Sequence, residues 1–274
     1  MNNRLFVVNK PLFVSSNQYL GKIKRKYKTK KAGFSGTLDP FAKGCLIVAF
    51  GQYTRLFQFL KKTPKRYKAT LFLGAYSETL DVEKISKVDI PLKFDYDEVK
   101  KVVESFKGKI TQIPPKYSAK KIDGIRAYDL ARAGKDVDIK KIEIEIFDIK
   151  ITNYSHPFLS FEAEVSEGTY IRSLGRDIAE KLGVDGSLTY LERLNEGKFV
   201  FENEKALNPL EYLDLEKNRY LGDEQNLVLG RKLNKEDFEI QKNGKYVVEF
   251  ANYFAIIEID ENVKYLLNKV ELCL

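Results

Sequence analysis

The apolar residues in the first part of the chain fall into short runs that predict alternating strands and helices. Residues 4–8 are typical of a buried strand, and residues 15–27 predict a basic helix with a serine at its start. The glycine-rich stretch 33–39 predicts a turn, and the apolar run 45–50, which contains β-branched residues, predicts a central strand. A loop is therefore expected between the first helix and the second strand.

Helical and strand periods also alternate in the middle of the chain. Residues 53–62 repeat apolar side chains at helical spacing, whereas residues 67–73 alternate like a strand with one buried face. Asp95 can cap an amphipathic helix that ends before Gly108. Residues 142–165 predict two long antiparallel strands joined by a turn.

The last part of the chain begins with a predicted helix and ends in predicted strands. Apolar positions at helical spacing indicate a helix over residues 168–182, with Tyr170 and Arg172 in its first turn. The clearest strands of the tail are residues 246–250 and 254–259.

The 274-residue chain has a net charge of +8, and this charge is unevenly distributed. Residues 211–274 contain 9 Lys and Arg against 13 Asp and Glu, so the tail carries −4 and residues 1–210 carry +12. Such an excess of cations attracts a polyanion, because neutralised phosphates release condensed counterions. Two basic runs, residues 22–31 and 61–68, favour nucleic acid as the partner over a role in solubility alone. The changes of charge and pattern place a domain boundary near residue 210.

Other features of the sequence indicate the cellular compartment of the protein. The apolar runs are far too short to span a bilayer, and no signal peptide is visible. Two cysteines, Cys45 and Cys273, are too few for a disulfide framework. We therefore expect a cytoplasmic protein with no membrane contact.

A single histidine, His156, limits the available chemistry. Metal sites with several His or Cys ligands and Ser-His-Asp triads are poorly supplied, and neither a P-loop nor a dinucleotide-binding glycine pattern occurs. We expect no metal and no nucleotide cofactor. Catalysis would then depend on carboxylate, tyrosine, arginine or lysine side chains.

Residues 33–44 place three glycines, a proline and one acid, Asp39, between the basic helix and the apolar strand. Glycine permits positive φ and close backbone approach, and Pro40 restricts the residue before it to extended conformations. Such a loop can hold Asp39 in a narrow range of positions. A plain turn in which the aspartate caps the backbone is the alternative that turn statistics favour.

This segment resembles the Gly-x-x-Gly-x-Leu-Asp-Pro-x-Ala-x-Gly motif of TruB-type tRNA pseudouridine synthases. Two departures are visible: residues 12–14 lack the glycine often found there, and Phe34 stands where the family commonly has histidine. Further matches occur in the family's order over most of residues 4–200. They are Lys10-Pro11, Ser15-Ser16, Lys65-Arg66-Tyr67 and residues 74–81, 114–121, 124–132, 168–174 and 191–194.

The resemblance implies a fold and a division of the chain. The expected fold class is α+β, with a mixed, mainly antiparallel central sheet and flanking helices, as in the pseudouridine synthase fold. Residues 1–210 would form the catalytic domain, with an RNA-gripping insertion around residues 108–140. Residues 211–274 would form a small β-rich appendage, similar to a reduced PUA domain.

The activity implied is isomerisation of uridine to pseudouridine at uridine 55, in the T-arm of tRNA. The reaction needs no redox step and no external group, provided that one carboxylate acts at the sugar. Asp39 would be the nucleophile, and Arg172 would pair with it and keep it charged. Tyr67 would stack on the uracil and transfer a proton, Tyr170 would orient the base or the aspartate, and Leu191 would pack beneath.

The protein must also contact parts of the RNA other than the reactive nucleotide. Flipping a paired or stacked uridine costs roughly a few kcal/mol, which phosphate contacts from the basic runs can offset. The resemblance assigns further substrate contacts to Lys10, Lys120 and Arg126. Phe34 could stack on a base but cannot donate a hydrogen bond. We expect the protein to act as a monomer with tRNA as its partner.

Two other classes of function are compatible with parts of the sequence. A tRNA-binding folding chaperone without required turnover would use the same basic face. A DNA-binding or ribosome-associated structural protein needs only the basic patches and the β appendage, but it leaves the glycine-rich loop unexplained. The intact set of Asp39, Tyr67, Tyr170 and Arg172 favours the enzyme.

Overall fold

A computed structural model describes residues 3–118, 121–122, 125–126 and 139–273. The strands are β1 (Arg4–Lys10), β2 (Ala32–Ser35), β3 (Lys43–Phe50), β4 (Lys65–Leu73), β5 (Ala75–Ser77), β6 (Ile85–Val88), β7 (Gly108–Gln112), β8 (Lys121–Ile122), β9 (Ile125–Arg126), β10 (Ile142–Ser155), β11 (Phe158–Val165), β12 (Gly186–Glu196), β13 (Phe199–Val200), β14 (Glu216–Lys217), β15 (Gly244–Phe250), β16 (Tyr253–Ile259) and β17 (Val263–Glu271). The helices are α1 (Ser16–Lys26), α2 (Tyr96–Glu104), α3 (Ile171–Lys181) and α4 (Glu224–Leu229), with short 3₁₀ helices at Gly51–Gln58, Pro209–Glu211 and Lys235–Asp237.

One large sheet organises the first two thirds of the chain. Its strand order is β1-β3-β12-β4-β11-β10-β7, with β2 added on β3 and β13 on β12. Neighbouring strands are antiparallel except for the short parallel contact between β3 and β12. A second sheet has the order β14-β15-β16-β17. The predicted α+β class with a mixed, mainly antiparallel sheet is confirmed.

The strands β1 and β3 are buried on both faces. Phe6 and Val8 pack in a core that includes residues of α1, α2 and α3, whereas Leu5 and Val7 point to the opposite face. There they share a second core with residues of the C-terminal sheet, including Phe254. Because neither face meets water along these stretches, residues 5–8 and 45–50 are uninterrupted apolar runs, and this is the pattern from which the two strands were predicted.

The strand β12 was not predicted from the sequence. It lies between β3 and β4 and carries Leu191 and Arg193, so it forms part of the floor of the site described below. Its pairing with β4 has irregularities between Leu188 and Tyr190 and again between Arg193 and Asn195. Each irregularity shifts the inward and outward positions, so the period of two that identifies a strand is lost.

Other boundaries differ from prediction in smaller ways. Gly33 and Phe34, expected in a turn, belong to β2 because they pair with β3. Residues 53–62 were expected to be helical, and a 3₁₀ helix occupies Gly51–Gln58 instead. The helix predicted from residue 168 begins at Ile171, with Tyr170 as its N-cap residue. Among the described residues, no helix is long and apolar enough to cross a membrane.

The close approach of β3 and β12 requires glycine at position 44. Gly44 has φ +111°, and a Cβ atom there would lie 2.3 Å from the Arg193 carbonyl oxygen. We expect Gly44→Ala to lower the free energy of unfolding by about 3 kcal/mol, because backbone atoms cannot move aside.

Gly108→Ala is the matched control, since Gly108 has φ +106° but no atom within 4 Å of the added Cβ. Urea unfolding of both variants distinguishes the loss of stability caused by steric overlap from the loss caused by an unfavourable backbone conformation. Equal losses in the two variants would contradict the steric explanation.

Candidate active site

Asp39 lies on the loop between β2 and β3, and this loop is fixed from one side by α1. The Ser16 hydroxyl accepts a hydrogen bond from the Leu38 amide and donates one to the Leu38 carbonyl, both at 3.0 Å. The Ala42 amide donates to the Asp39 carbonyl at 3.0 Å. The backbone on either side of the carboxylate is therefore held by its own hydrogen bonds.

Arg193 fixes the same loop from the opposite side. Its guanidinium donates to the Gly36 carbonyl at 2.9 Å and to the Cys45 carbonyl at 2.8 Å. The fully buried Glu196 carboxylate lies 2.9 Å from Arg193 and 3.2 Å from the Lys65 ammonium. Burial lowers the pKa of Arg193, but Glu196 and the Tyr67 hydroxyl raise it, with a net increase. A charged arginine thus joins both ends of the loop to β12.

Lys10 also supports the loop. Its side chain is fully buried, and its ammonium donates to the carbonyls of Pro11 at 2.9 Å, Val14 at 2.6 Å and Pro40 at 3.3 Å. Lys10 lines neither of the two cavities beside Asp39. These contacts position the loop, because a buried ammonium needs acceptors that offset its desolvation. The substrate contact expected for Lys10 is not among them.

We expect the pH dependence of the free energy of unfolding to reveal the lowered pKa of Lys10. Burial lowers its pKa from 10.5 to about 8, so between these values the unfolded chain binds more protons than the folded one. The free energy of unfolding, relative to that of Lys10→Met, should rise with pH across this window by at most about 1.4 kcal/mol per pH unit. Urea unfolding of both proteins across the window measures the difference. A difference that stays flat or falls would contradict the lowered pKa.

The structure brings Asp39 and Arg172 into direct contact. Arg172 Nε lies 2.8 Å from Asp39 Oδ2, with the arginine side chain 5% exposed and the aspartate 33% exposed. Arg172 enters from the first turn of α3, whose N-cap residue Tyr170 has no side-chain cap of its own. A guanidinium at this distance makes a charge-assisted hydrogen bond to the carboxylate and fixes its direction.

The Arg172 guanidinium also donates hydrogen bonds to acceptors other than Asp39. Its Nη1 donates to the Thr79 carbonyl at 2.8 Å and lies 3.4 Å from Asp81 Oδ2, and its Nη2 donates to the Tyr117 carbonyl at 2.8 Å. Burial raises the pKa of Asp81, although the Thr79 hydroxyl, at 2.6 Å, and Arg172 act in the opposite direction. Thr79 and Asp81 lie in the matched segment 74–81, but their position beside the arginine was not predicted.

A cavity of about 360 Å³ opens beside this ion pair. Its volume falls within the range of small-ligand sites. Five residues proposed for catalysis or substrate binding line it together: Asp39, Tyr67, Tyr170, Arg172 and Leu191. The cavity is also lined by three residues that were not among the predicted site residues: Lys65, Ser118 and Arg193.

The aromatic and apolar walls of this cavity come from three elements. Tyr67 is on β4 and Leu191 on β12, and both side chains are largely buried with their remaining surface toward the cavity. Tyr170 lies at the start of α3, and its amide donates to the Gln112 side chain at 2.9 Å. Burial raises the pKa of Tyr170, partly offset by a hydrogen bond with Ser118. These walls can receive a flat heteroaromatic ring.

Phe34 lies at a second cavity, of about 340 Å³, on the other side of Asp39. The two cavities share the walls formed by Thr37, Leu38, Asp39, Ser118 and Arg172. Lys120 lies outside the described residues, and only the backbone of Arg126, in β9, is described. In the part of the chain that is described, no three His, Cys, Asp or Glu side chains are grouped to hold a metal ion.

The two basic runs differ in their relation to the site. In residues 61–68, Lys62 and Lys65 turn inward, and the Lys65 ammonium lies 3.8 Å from Glu167. Most basic side chains of residues 22–31 are exposed on α1 and after it. The exposed cations can meet phosphates, whereas Lys65 places positive charge at the cavity itself.

Comparisons with known proteins identify the family of the chain. The family model described as TruB family pseudouridylate synthase (N terminal domain) matches residues 24–171. A protein of Sulfurovum sp. called tRNA pseudouridine synthase B is 57% identical over 98% of this chain and 97% of its own. A Campylobacter jejuni protein of the same name is 52% identical over 99% and 100%.

Solved structures show the same fold at low sequence identity. A chain from the crystal structure of a Cbf5-Nop10-Gar1 complex aligns with a TM-score of 0.66 and 20% identity, covering 98% of this chain and 84% of its own. Together with the family model and the full-length relatives, this places the protein. The chain belongs to the TruB family of pseudouridylate synthases.

Proposed function

We propose that this protein converts uridine to pseudouridine in tRNA, with Asp39 as the nucleophile. The observation that carries the proposal is the 2.8 Å ion pair between Asp39 and Arg172 at the wall of a cavity lined by Tyr67. The names of the full-length relatives point to the same substrate. Binding and reaction would thus use one pocket.

The reaction is balanced within one nucleotide. The bond between ribose C1′ and the base nitrogen N1 breaks, the base turns over, and C1′ bonds to carbon C5. C5 loses its proton to solvent, and N1 takes up a proton from solvent. No electrons are gained or lost. Asp39 supplies the nucleophile, Arg172 fixes its direction, Tyr67 stacks on the uracil and accepts or relays the C5 proton, and Tyr170 and Leu191 confine the base while it turns.

The target proposed is uridine 55 in the T-arm. A uridine stacked in that arm must be flipped into the cavity at a cost of roughly a few kcal/mol. The +12 charge of residues 1–210 can offset this through phosphate contacts, and Lys120 and Arg126 of the insertion are proposed to contribute. Residues 211–274, with −4 charge and their own sheet, would form a separate domain that adds little to RNA affinity.

The protein is further proposed to act as a monomer in the cytoplasm. Cys45 and Cys273 are both free, which fits a reducing compartment.

Tritium release tests the reaction. tRNA labelled with tritium at uracil C5 should lose one label per molecule on incubation with the protein, because isomerisation replaces that C–H bond. A tRNA with cytidine in place of uridine 55 should lose none. Binding without release would leave the folding-chaperone alternative. Equal affinity for tRNA, a T-arm hairpin and duplex DNA at fixed salt would instead indicate a general nucleic-acid binder.

A further inference from the structure

The turn between β1 and α1 presents an aromatic ring to solvent. Phe13 is 71% exposed and has φ +58°. Of the six non-glycine residues with positive φ in the described part of the chain, Phe13 is the aromatic one. A bulky side chain is disfavoured in this region of φ, and an exposed ring gains little from burial. Neither local conformation nor packing therefore accounts for phenylalanine at this position.

The turn is held rigidly. The Lys10 ammonium donates to the carbonyls on both sides of Phe13, those of Pro11 and Val14. Ser15, which follows, caps α1 with a capping box: the Gln18 amide donates to its side chain, and its own amide donates to the Gln18 side chain. A backbone conformation that is intrinsically unfavourable persists only where its surroundings impose it, and such residues are concentrated at functional sites.

The turn adjoins the reactive loop. The same Lys10 ammonium that binds the two turn carbonyls also donates to the Pro40 carbonyl, next to Asp39. The residues after the turn, Ser15 to Asn17, line the second cavity together with Asp39 and Phe34. The turn therefore borders a cavity that opens directly on Asp39.

We propose that Phe13 stacks on a nucleobase of the RNA substrate outside the reactive nucleotide. The proposal rests on the proposed function. Base stacking on an aromatic ring needs an exposed face and little else. The ring of Phe13 is 71% exposed and makes no ring contact with the residues that the structure describes, so it offers such a face on a fixed turn. A protein partner would need a larger contiguous apolar patch. Stacking there would hold the strand beside the catalytic loop while the target base turns over.

Removal of the ring tests the contact. Phe13→Gly should weaken tRNA binding about tenfold, since that is the usual effect of losing one stacked base. The maximal rate at saturating tRNA should stay within about twofold, because Phe13 does not line the cavity beside Asp39. The melting temperature should change by less than about 2 °C, since an exposed side chain is lost and glycine accepts positive φ.

The absence of tryptophan from the chain permits a direct reading of stacking. Phe13→Trp introduces a single tryptophan, whose fluorescence should be quenched when tRNA binds, with affinity close to that of the wild type. Leu229→Trp is the matched control, because Leu229 is 60% exposed on the acidic C-terminal part. Its fluorescence should not change.

The outcomes separate this inference from the proposed function. The stacking alone would be overturned if the wild-type protein releases tritium but Phe13→Gly binds tRNA as tightly as the wild type. It would also be overturned if the fluorescence of Phe13→Trp is not quenched by tRNA. A melting temperature lowered by more than about 5 °C in Phe13→Gly, with no quenching in Phe13→Trp, would mean that the ring serves the fold. Quenching without tritium release would reject the isomerase and keep the stacking. No binding of tRNA by the wild type would overturn both.

Discussion

Asp39→Asn should reduce single-turnover tritium release by about 10⁴-fold or more, while tRNA affinity stays within about tenfold. Asparagine has nearly the same shape as aspartate, so the loop held by Ser16, Lys10 and Arg193 should keep its conformation. The amide oxygen can still accept from Arg172, but it is not a nucleophile. The variant would therefore bind RNA and fail at the chemical step.

Asp177→Asn is the matched control for this experiment. Asp177 is also paired with an arginine, Arg176, at 2.7 Å, but it lines neither cavity beside Asp39. Its activity should remain within about twofold of wild type. If Asp39→Asn kept a substantial rate, another group would have to be the nucleophile; if it lost binding as well, the loop would have a mainly structural role.

Arg172→Lys is expected to have the second largest effect. The guanidinium contacts Asp39, Asp81 and the carbonyls of Thr79 and Tyr117, and these lie in different directions. A lysine ammonium is a compact donor that cannot span them. We expect the maximal rate to fall about 10²-fold, because the carboxylate loses its fixed direction, and the KM for tRNA to change much less.

The same substitution should lower the free energy of unfolding by about 1–3 kcal/mol, because buried acceptors lose their partner. Arg176→Lys, one turn further along α3, is the control. The Arg176 side chain is 22% exposed against 5% for Arg172, and it lines neither cavity beside Asp39, so rate and stability should both stay near wild type. Steady-state tritium release and urea unfolding provide the two readings. A fall in rate through KM alone would assign Arg172 to substrate binding instead.

The helices and strands that could be predicted share a local signal. The two faces of β1 and β3 are buried, so their apolar runs are continuous, and Ser15, at the start of the predicted helix, caps α1. Where the local signal was interrupted, prediction failed. The irregular pairing of β12 hides its alternation, and for that reason Arg193 and Glu196, which support the catalytic loop, were not found.

Lys10 illustrates a different limit. A lysine in a basic, RNA-binding sequence was expected to meet the substrate, yet its ammonium is fully buried under the loop. Its direction depends on three carbonyls that converge only when the turn after β1 and the loop after β2 come together. Sequence patterns carry no information about such a convergence, because none of the carbonyls is specified by a side-chain type.

The sequence by itself determined most of the strands and helices, because hydrophobic period and turn residues are properties of neighbouring positions. The fold class and the residues proposed for the reaction followed from the resemblance of its motifs to those of TruB-type synthases. Only the tertiary structure decided that Asp39 and Asp81 share one guanidinium and that Asp39 lies at the wall between two cavities. Those contacts join residues that are far apart in the chain, and their distances follow from the packing of α3 and β12 around the loop.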